Sequence, residues 1–313
     1  YRDAKKIKEA GFDYVRLSHY PQSNSFMNAC DELGLVTIDA ILGWQYFSED
    51  KKFQTHIFQT AKDLIRRDRN HASVIAWEVS LNESWMPELF IDSLVNIAKK
   101  EYPGNKCFTA GWQSYGYDIY LQARQHRLQH YDPNLKKPYN VSEYGDWEYY
   151  AMNAGLNQDD WNGLLKEERS SRQLRSAGEK ALLQQAKNIQ EAHNDNLSTP
   201  AFADGYWVMF DYNRGYADDL ESSGIMDIFR IPKPSFYFYK SQRDYDHPFG
   251  KPMVYIANKW KKDSPLDVTV FSNCDEVELF LNGKSVGRKK PDTNRISDNL
   301  KHPPFTFNLK SFK

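Results

Sequence analysis

From residue 3 to about residue 245, short β-branched runs alternate with longer amphipathic stretches. A strand followed by a helix that packs back on the same sheet demands a parallel sheet, so this alternation leaves few folds open. Residues 4–10 read as a helix stopped by Gly11, and residues 12–17 as a strand. A second helix over 23–33 ends at Gly34, and 35–39 is the next strand. A helix over 55–69 leads through Asn70 and His71 into the buried-strand pattern 73–77, which ends in the polar group Ser80, Asn82 and Glu83. Another helix covers 87–100. Strands are predicted at 107–110, 117–121 and 139–142, then a polar helix over 176–195, a strand over 202–209 and a last helix over 235–243. Seven alternations in about 240 residues approach the ~250 residues of a (β/α)8 barrel that lacks its first strand. The rival, an open doubly wound sheet, usually carries a glycine-rich phosphate loop, and neither GxGxxG nor GxxxxGK[ST] occurs.

After His247 and Pro248 the pattern becomes all-β, with runs at 253–256, 267–271 and 276–281 before the hairpin signal Asn282-Gly283. The predicted fold class is therefore α/β: a TIM-type barrel over residues 1–247, N-terminally truncated, followed by a C-terminally truncated immunoglobulin-like β-sandwich over 248–313. Both ends read as cut points in a longer protein. The chain opens inside an amphipathic helix with no basic stretch leading into an apolar one, and stops in strand-like alternation. Targeting information would then lie upstream, and a periplasmic or extracellular location is favoured for a polysaccharide degrader.

Forty-one basic against 42 acidic residues give a net charge of −1, which removes the general field that recruits nucleic acid or an anionic membrane. The longest apolar runs, such as 36–42, fall well short of the ~20 residues of a membrane span. Cys30, Cys107 and Cys274 have no metal-ligand spacing, and an odd count cannot complete a disulfide framework. No metal or cofactor is expected. Aromatic residues make up 15% of the chain, a supply that suits stacking on sugars but mostly fills cores.

A barrel does its chemistry where strands end, so polar residues just after apolar runs are the candidates. Glu83 closes the run that begins at Val74, and Glu143 follows Pro138-Tyr-Asn-Val-Ser. Taken singly, each reads most simply as a capping or ion-paired acid. Two carboxylates from different strands, however, are what glycoside hydrolysis requires: one protonates the leaving oxygen while the other attacks the anomeric carbon or activates water.

The segment VIAWEVSLNESW resembles the acid/base motif of glycoside hydrolase family 2, in which an Asn-Glu pair ends the fourth barrel strand. PYNVSEYG resembles the nucleophile motif at its seventh strand, and VRLSHYPQS followed by DELGLVTID resembles its second and third strands. The motifs occur in the family's order. The resemblance implies a retaining β-glycosidase from a group that includes β-galactosidases, β-glucuronidases and β-mannosidases, with jelly-roll and immunoglobulin-like domains before the barrel. It implies Glu83 as general acid/base and Glu143 as nucleophile, with a carboxyl separation of ~5–5.5 Å and a raised Glu83 pKa. Asn82 would hold the sugar 2-hydroxyl, His19 would lie at the floor of the subsite, and Arg16 would pair with an active-site carboxylate and help keep the nucleophile ionised.

Departures from the family bear on the substrate. The magnesium-binding Glu-x-His of the best-known bacterial β-galactosidases is missing after Asp39, where Trp44 is instead a candidate sugar platform. The Asn-x-Lys motif with which β-glucuronidases hold the uronate is missing from 221–229. In Gly205-Tyr-Trp-Val-Met, a methionine stands where a tryptophan commonly follows valine, so Trp207 would serve the sugar only with a register shift of two. The family's tyrosine motif near the nucleophile is absent from 117–126, leaving Gln122, Arg124 or His126 as replacements; an arginine there would suit a sulfated glycan. The expected function is a retaining exo-β-glycosidase, foremost a β-galactosidase acting on oligosaccharide or polysaccharide ends. A β-mannosidase, a β-glucosidase or a non-catalytic carbohydrate-binding barrel stand as alternatives, and β-glucuronidase is disfavoured. The expected partner is a carbohydrate, with no nucleic acid and no membrane; assembly into a homo-oligomer stays open.

Overall fold

Seven strands form one parallel sheet whose spatial order follows the chain: β1 (Tyr14–Arg16), β2 (Val36–Ala40), β3 (Val74–Glu78), β4 (Thr109–Gly111), β5 (Ile119–Ala123), β6 (Tyr139–Tyr144) and β7 (Ala203–Tyr206). The computed structural model describes residues 1–123, 131–145, 167–215 and 218–311. The edge strands β1 and β7 approach each other, and the Asn140 amide on β6 donates to the Tyr14 hydroxyl on β1, so the sheet is a nearly closed barrel. Its narrow interior is filled by Ile38, Ala76, Ala110 and Leu121, one from each of four successive strands. Strands packed on both faces are buried on both, and β6 is buried along its whole length although Asn140, Ser142 and Glu143 are polar.

Helices cover the outside: α1 (Arg2–Glu9), α2 (Asn24–Leu33), α3 (Lys51–Asp68), α4 (Glu88–Glu101), α5 (Glu179–Leu197) and α6 (Pro234–Ser241). Local sequence sets their ends. The Ser23 hydroxyl accepts the Phe26 N–H at the start of α2, and Gly34 ends that helix with φ of 68°, a conformation that costs glycine little. Asp50 caps α3 by accepting the Lys52 N–H. The faces of α3 and α4 bury Ile57, Leu64, Ile65, Ile91 and Leu94 against Trp77 of β3.

As the sequence predicts, β4 passes to β5 with no intervening helix, an irregularity in the strand–helix alternation. The short connection closes on itself. Tyr117, only 2% exposed, lies over Gly111, where a Cβ would come within 2.2 Å of its ring, and its hydroxyl donates to the Val79 carbonyl. Asp118 accepts the Thr109 N–H and hydroxyl, both at 2.9 Å. One aromatic ring thus fills the layer that a helix would otherwise cover.

A hairpin of β8 (Tyr212–Asn213) and β9 (Leu220–Glu221) lies beyond β7. The C-terminal region has an antiparallel sheet of β10 (Val254–Ile256), β11 (Asp267–Ser272) and β14 (Phe305–Asn308). It also has a hairpin of β12 (Val277–Leu281) and β13 (Lys284–Lys289), turning at Asn282 and Gly283, both at positive φ. Val268, Val270, Phe305 and Phe307 share one core with Leu279, so the sheet and the hairpin pack face to face as part of a sandwich. This region is seated on the barrel through α6: Tyr237 stacks on Tyr255 with ring centroids 3.6 Å apart, and Phe238 meets Phe271 edge to face.

Candidate active site

The C-terminal ends of β1, β6 and β7 and the loops after β2 and β3 surround a cavity of about 710 Å³. Arg16, the last residue of β1, organises it. Its side chain is 3% exposed, and a guanidinium so buried requires several acceptors. Nε donates to Glu78 Oε2 at 2.7 Å, one terminal nitrogen to Glu143 Oε1 at 2.8 Å, and the other to both Glu78 Oε1 and Asn82 Oδ1, the latter at 2.9 Å. A single cation therefore ties together β1, β3, β6 and the loop after β3.

Glu143 is buried near the end of β6. Burial pushes its carboxyl above the ordinary range; the Arg16 guanidinium pulls it back, and the Glu83 and Glu78 carboxylates push it further up. His19 Nε2 lies 3.8 Å from Glu143 Oε1. Burial, with the Arg16 charge adding to it, lowers the His19 pKa to about 2, so its imidazole is neutral and brings no charge to Glu143. Its ring is held between two indoles, Trp207 at 5.2 Å and Trp44 at 6.1 Å, nearly parallel to both.

Glu83 follows Asn82 in the loop after β3 with φ of 49°, a strained conformation for a side chain of this kind. Its Oε2 accepts from Gln45 Nε2 at 2.8 Å and Trp44 Nε1 at 3.3 Å. Backbone pairing fixes this loop to the one after β2: Asn82 N–H donates to Gly43 at 3.0 Å, and Gln45 N–H to Asn82 at 2.8 Å. Asn82 Nδ2 is buried with no hydrogen-bond acceptor among the described residues.

The structure thus brings together Arg16, His19, Trp44, Glu83, Glu143 and Trp207 around one cavity, with Asn82 behind them on Arg16. Trp207 reaches the cavity directly at the end of β7, and Met209 lines it as well while packing against two buried clusters. Gln122 is not part of the site. Its neighbour Leu121 points into the barrel interior, so strand alternation turns Gln122 outward, where its amide donates to the Ala123 carbonyl. Arg124 and His126 lie outside the described residues.

Two site residues escape a reading of the sequence. Glu78 interrupts the apolar run 74–79, and an acid in the middle of a buried strand is the signal that a buried cation awaits it. Gln45, next to Trp44, carries no signal of its own. Around the cavity the cations are matched by acids: Arg214 pairs with Glu221, and Arg230 with Asp3 at 2.8 Å. Among the described residues no cluster of three or more His, Cys, Asp or Glu side chains is placed to hold a metal.

Residues 1–242 match the sequence model of the glycosyl hydrolases family 2 TIM barrel domain, and residues 263–311 match a domain of unknown function, DUF4982. The chain is 34% identical over 327 residues to a β-galactosidase of Thermoanaerobacter pseudethanolicus, an alignment covering 99% of this chain and 40% of that protein. It is 26% identical to a β-glucuronidase of Bacteroides fragilis, covering 93% and 45% of the two chains. Among solved structures, β-glucuronidase 3 of Bacteroides uniformis superimposes with a TM-score of 0.73 at 22% identity, over 99% of this chain and 43% of that one. The chain spans less than half the length of each.

Proposed function

The chain belongs to glycoside hydrolase family 2, and from that we propose that it carries the catalytic barrel of a retaining exo-β-glycosidase that releases neutral sugars, foremost β-galactose, from glycan ends. The observation that carries the reading is the Arg16 hub, which joins Glu143 and Asn82 from different elements while Glu83 faces the same cavity. In this mechanism Glu143 attacks the anomeric carbon as Glu83 protonates the departing oxygen, leaving the sugar esterified to Glu143. Glu83, now ionised, takes a proton from water, which displaces the sugar and restores Glu143. The unpartnered Asn82 amide donates to the sugar 2-hydroxyl. Trp207 and Trp44 offer faces for the ring, and neutral His19 between them orients both.

Among the described residues, the paired cations around the cavity support a neutral sugar. Holding a uronate takes a cation whose charge is uncommitted, and Arg16, Arg214 and Arg230 each already face a carboxylate. We place the division between the barrel and the β-rich region at residues 247/248. Aryl β-glycosides of galactose, glucuronic acid, mannose, glucose and fucose, offered to the full-length protein, test the proposal. Turnover of the galactoside that Glu143→Ala abolishes supports it. Preference for the glucuronide replaces the sugar assignment, and binding without turnover of any replaces the enzyme with a carbohydrate-binding barrel.

A further inference from the structure

Trp85 stands two residues beyond Glu83 with 78% of its surface exposed, flanked by buried Ser84 and buried Met86. A ring of that size left in water forgoes a large share of the stabilisation that its burial would give. Its support is rigid. The Trp112 indole N–H donates to the Ser84 carbonyl at 3.0 Å, and the Gln113 amide exchanges hydrogen bonds with the Met86 backbone at 2.9 and 3.1 Å. Ser84 Oγ in turn accepts the Tyr46 N–H at 2.9 Å. The loops after β2, β3 and β4 are thereby joined into one arc, on which Trp85 leans edge-on against Trp112, with centroids 5.0 Å apart. Tyr46, also exposed, sits on the same arc and is braced edge-on by Phe53.

Trp85 does not line the cavity that holds Glu143, His19 and Trp207. It continues the chain from the acid/base position, and that carboxyl faces the departing oxygen. We propose that Trp85, braced by Trp112, is a stacking platform for the leaving-group sugar, so that the site prefers glycan substrates to glycosides with small leaving groups. This rests on the glycosidase reading above. The apolar face of a pyranose suits an exposed indole, and a framework fixed by hydrogen bonds lets the ring bind without first being ordered.

The test compares the full-length protein with Trp85→Ala and Trp85→Phe on two substrates that deliver the same sugar: β-1,4-galactobiose, whose leaving group is a ring, and β-galactosyl fluoride, whose leaving group is an ion. The ratio of kcat/KM for the disaccharide to that for the fluoride is expected to fall about tenfold in Trp85→Ala and to recover most of the way in Trp85→Phe. An unchanged ratio overturns the platform, whether both rates hold or both fall together, as they would if another part of the protein covers Trp85. A parent protein inert on the fluoride overturns the proposed activity instead. Tryptophan-fluorescence titration with galactobiose then decides the platform alone: weaker binding by Trp85→Ala upholds it, and equal binding removes it.

Discussion

Two buried carboxylate pairs lie on either side of this barrel's wall, and they differ in what stands between the acids. At the mouth, Glu78 and Glu143 share the Arg16 guanidinium, which donates to both. In the layer between β2 and α3, Asp39 meets Asp68 with no cation between them; Arg67 grips Asp68 from the outside at 2.7 Å. Burial, reinforced by Asp68, pushes the Asp39 carboxyl up to about 8, which favours its protonated form at neutral pH. One pair is held together by an arginine and the other by a proton. A pair held by an arginine can stay charged and available for chemistry, whereas a pair held by a proton is confined to structure.

Removing the reactive member should separate the two pairs most sharply. Glu143→Ala is expected to lower kcat for aryl galactosides about 10⁴-fold, read by steady-state kinetics, while Asp39→Asn keeps parental turnover. Next in size, Glu83→Gln should cost roughly 10²–10⁴-fold on substrates with poor leaving groups, with much of the loss recovered when the leaving group needs no proton. On such activated substrates the same variant tests electrostatics. The Glu83 charge raises the Glu143 pKa, so its removal should move the acidic limb of kcat/KM to lower pH; an unmoved limb would mean that the two acids do not sense each other.

Glu78→Gln sharpens the contrast from within the first pair. With one acid fewer, the Arg16 charge falls to Glu143 alone, and the acidic limb should again shift down while KM changes little. For the second pair the readout is stability. The folded-state pKa of Asp39 lies above its unfolded value, so its contribution is complete at low pH and is lost as pH rises through about 8. Asp39→Asn keeps a donor toward Asp68 without the titration. It should raise the midpoint of thermal unfolding at pH 8.5 by about 2–4 °C, with the gain fading toward pH 5. A gain that is constant with pH would refute the raised Asp39 pKa.

The barrel was legible because parallel strands buried on both faces leave unmistakable apolar runs, and because helix stops such as Gly34 are local. Glu83 and Glu143 were legible only as acids at strand ends; it is the resemblance of VSLNES and NVSEYG to glycoside hydrolase family 2 that implied a role for each. What escaped depends on packing at a distance. The short link from β4 to β5 was read correctly, but not the ring that closes it, Tyr117, whose role needs Gly111 beside it in space. Glu78 looked like an interruption until Arg16, 62 residues away, was found against it. Trp207 and Gln122 turned on which way a strand end faces, and one residue of register reverses that.

The backbone of Glu83 carries a further consequence. At φ of 49° the chain would accept glycine or asparagine with less strain, yet neither can give and take a proton, which the proposed role of Glu83 requires. Folding and turnover thus place opposite demands on one position. Glu83→Gly and Glu83→Asn should therefore unfold at a higher temperature than the parent while losing turnover, so that the two measurements move in opposite directions at this one position.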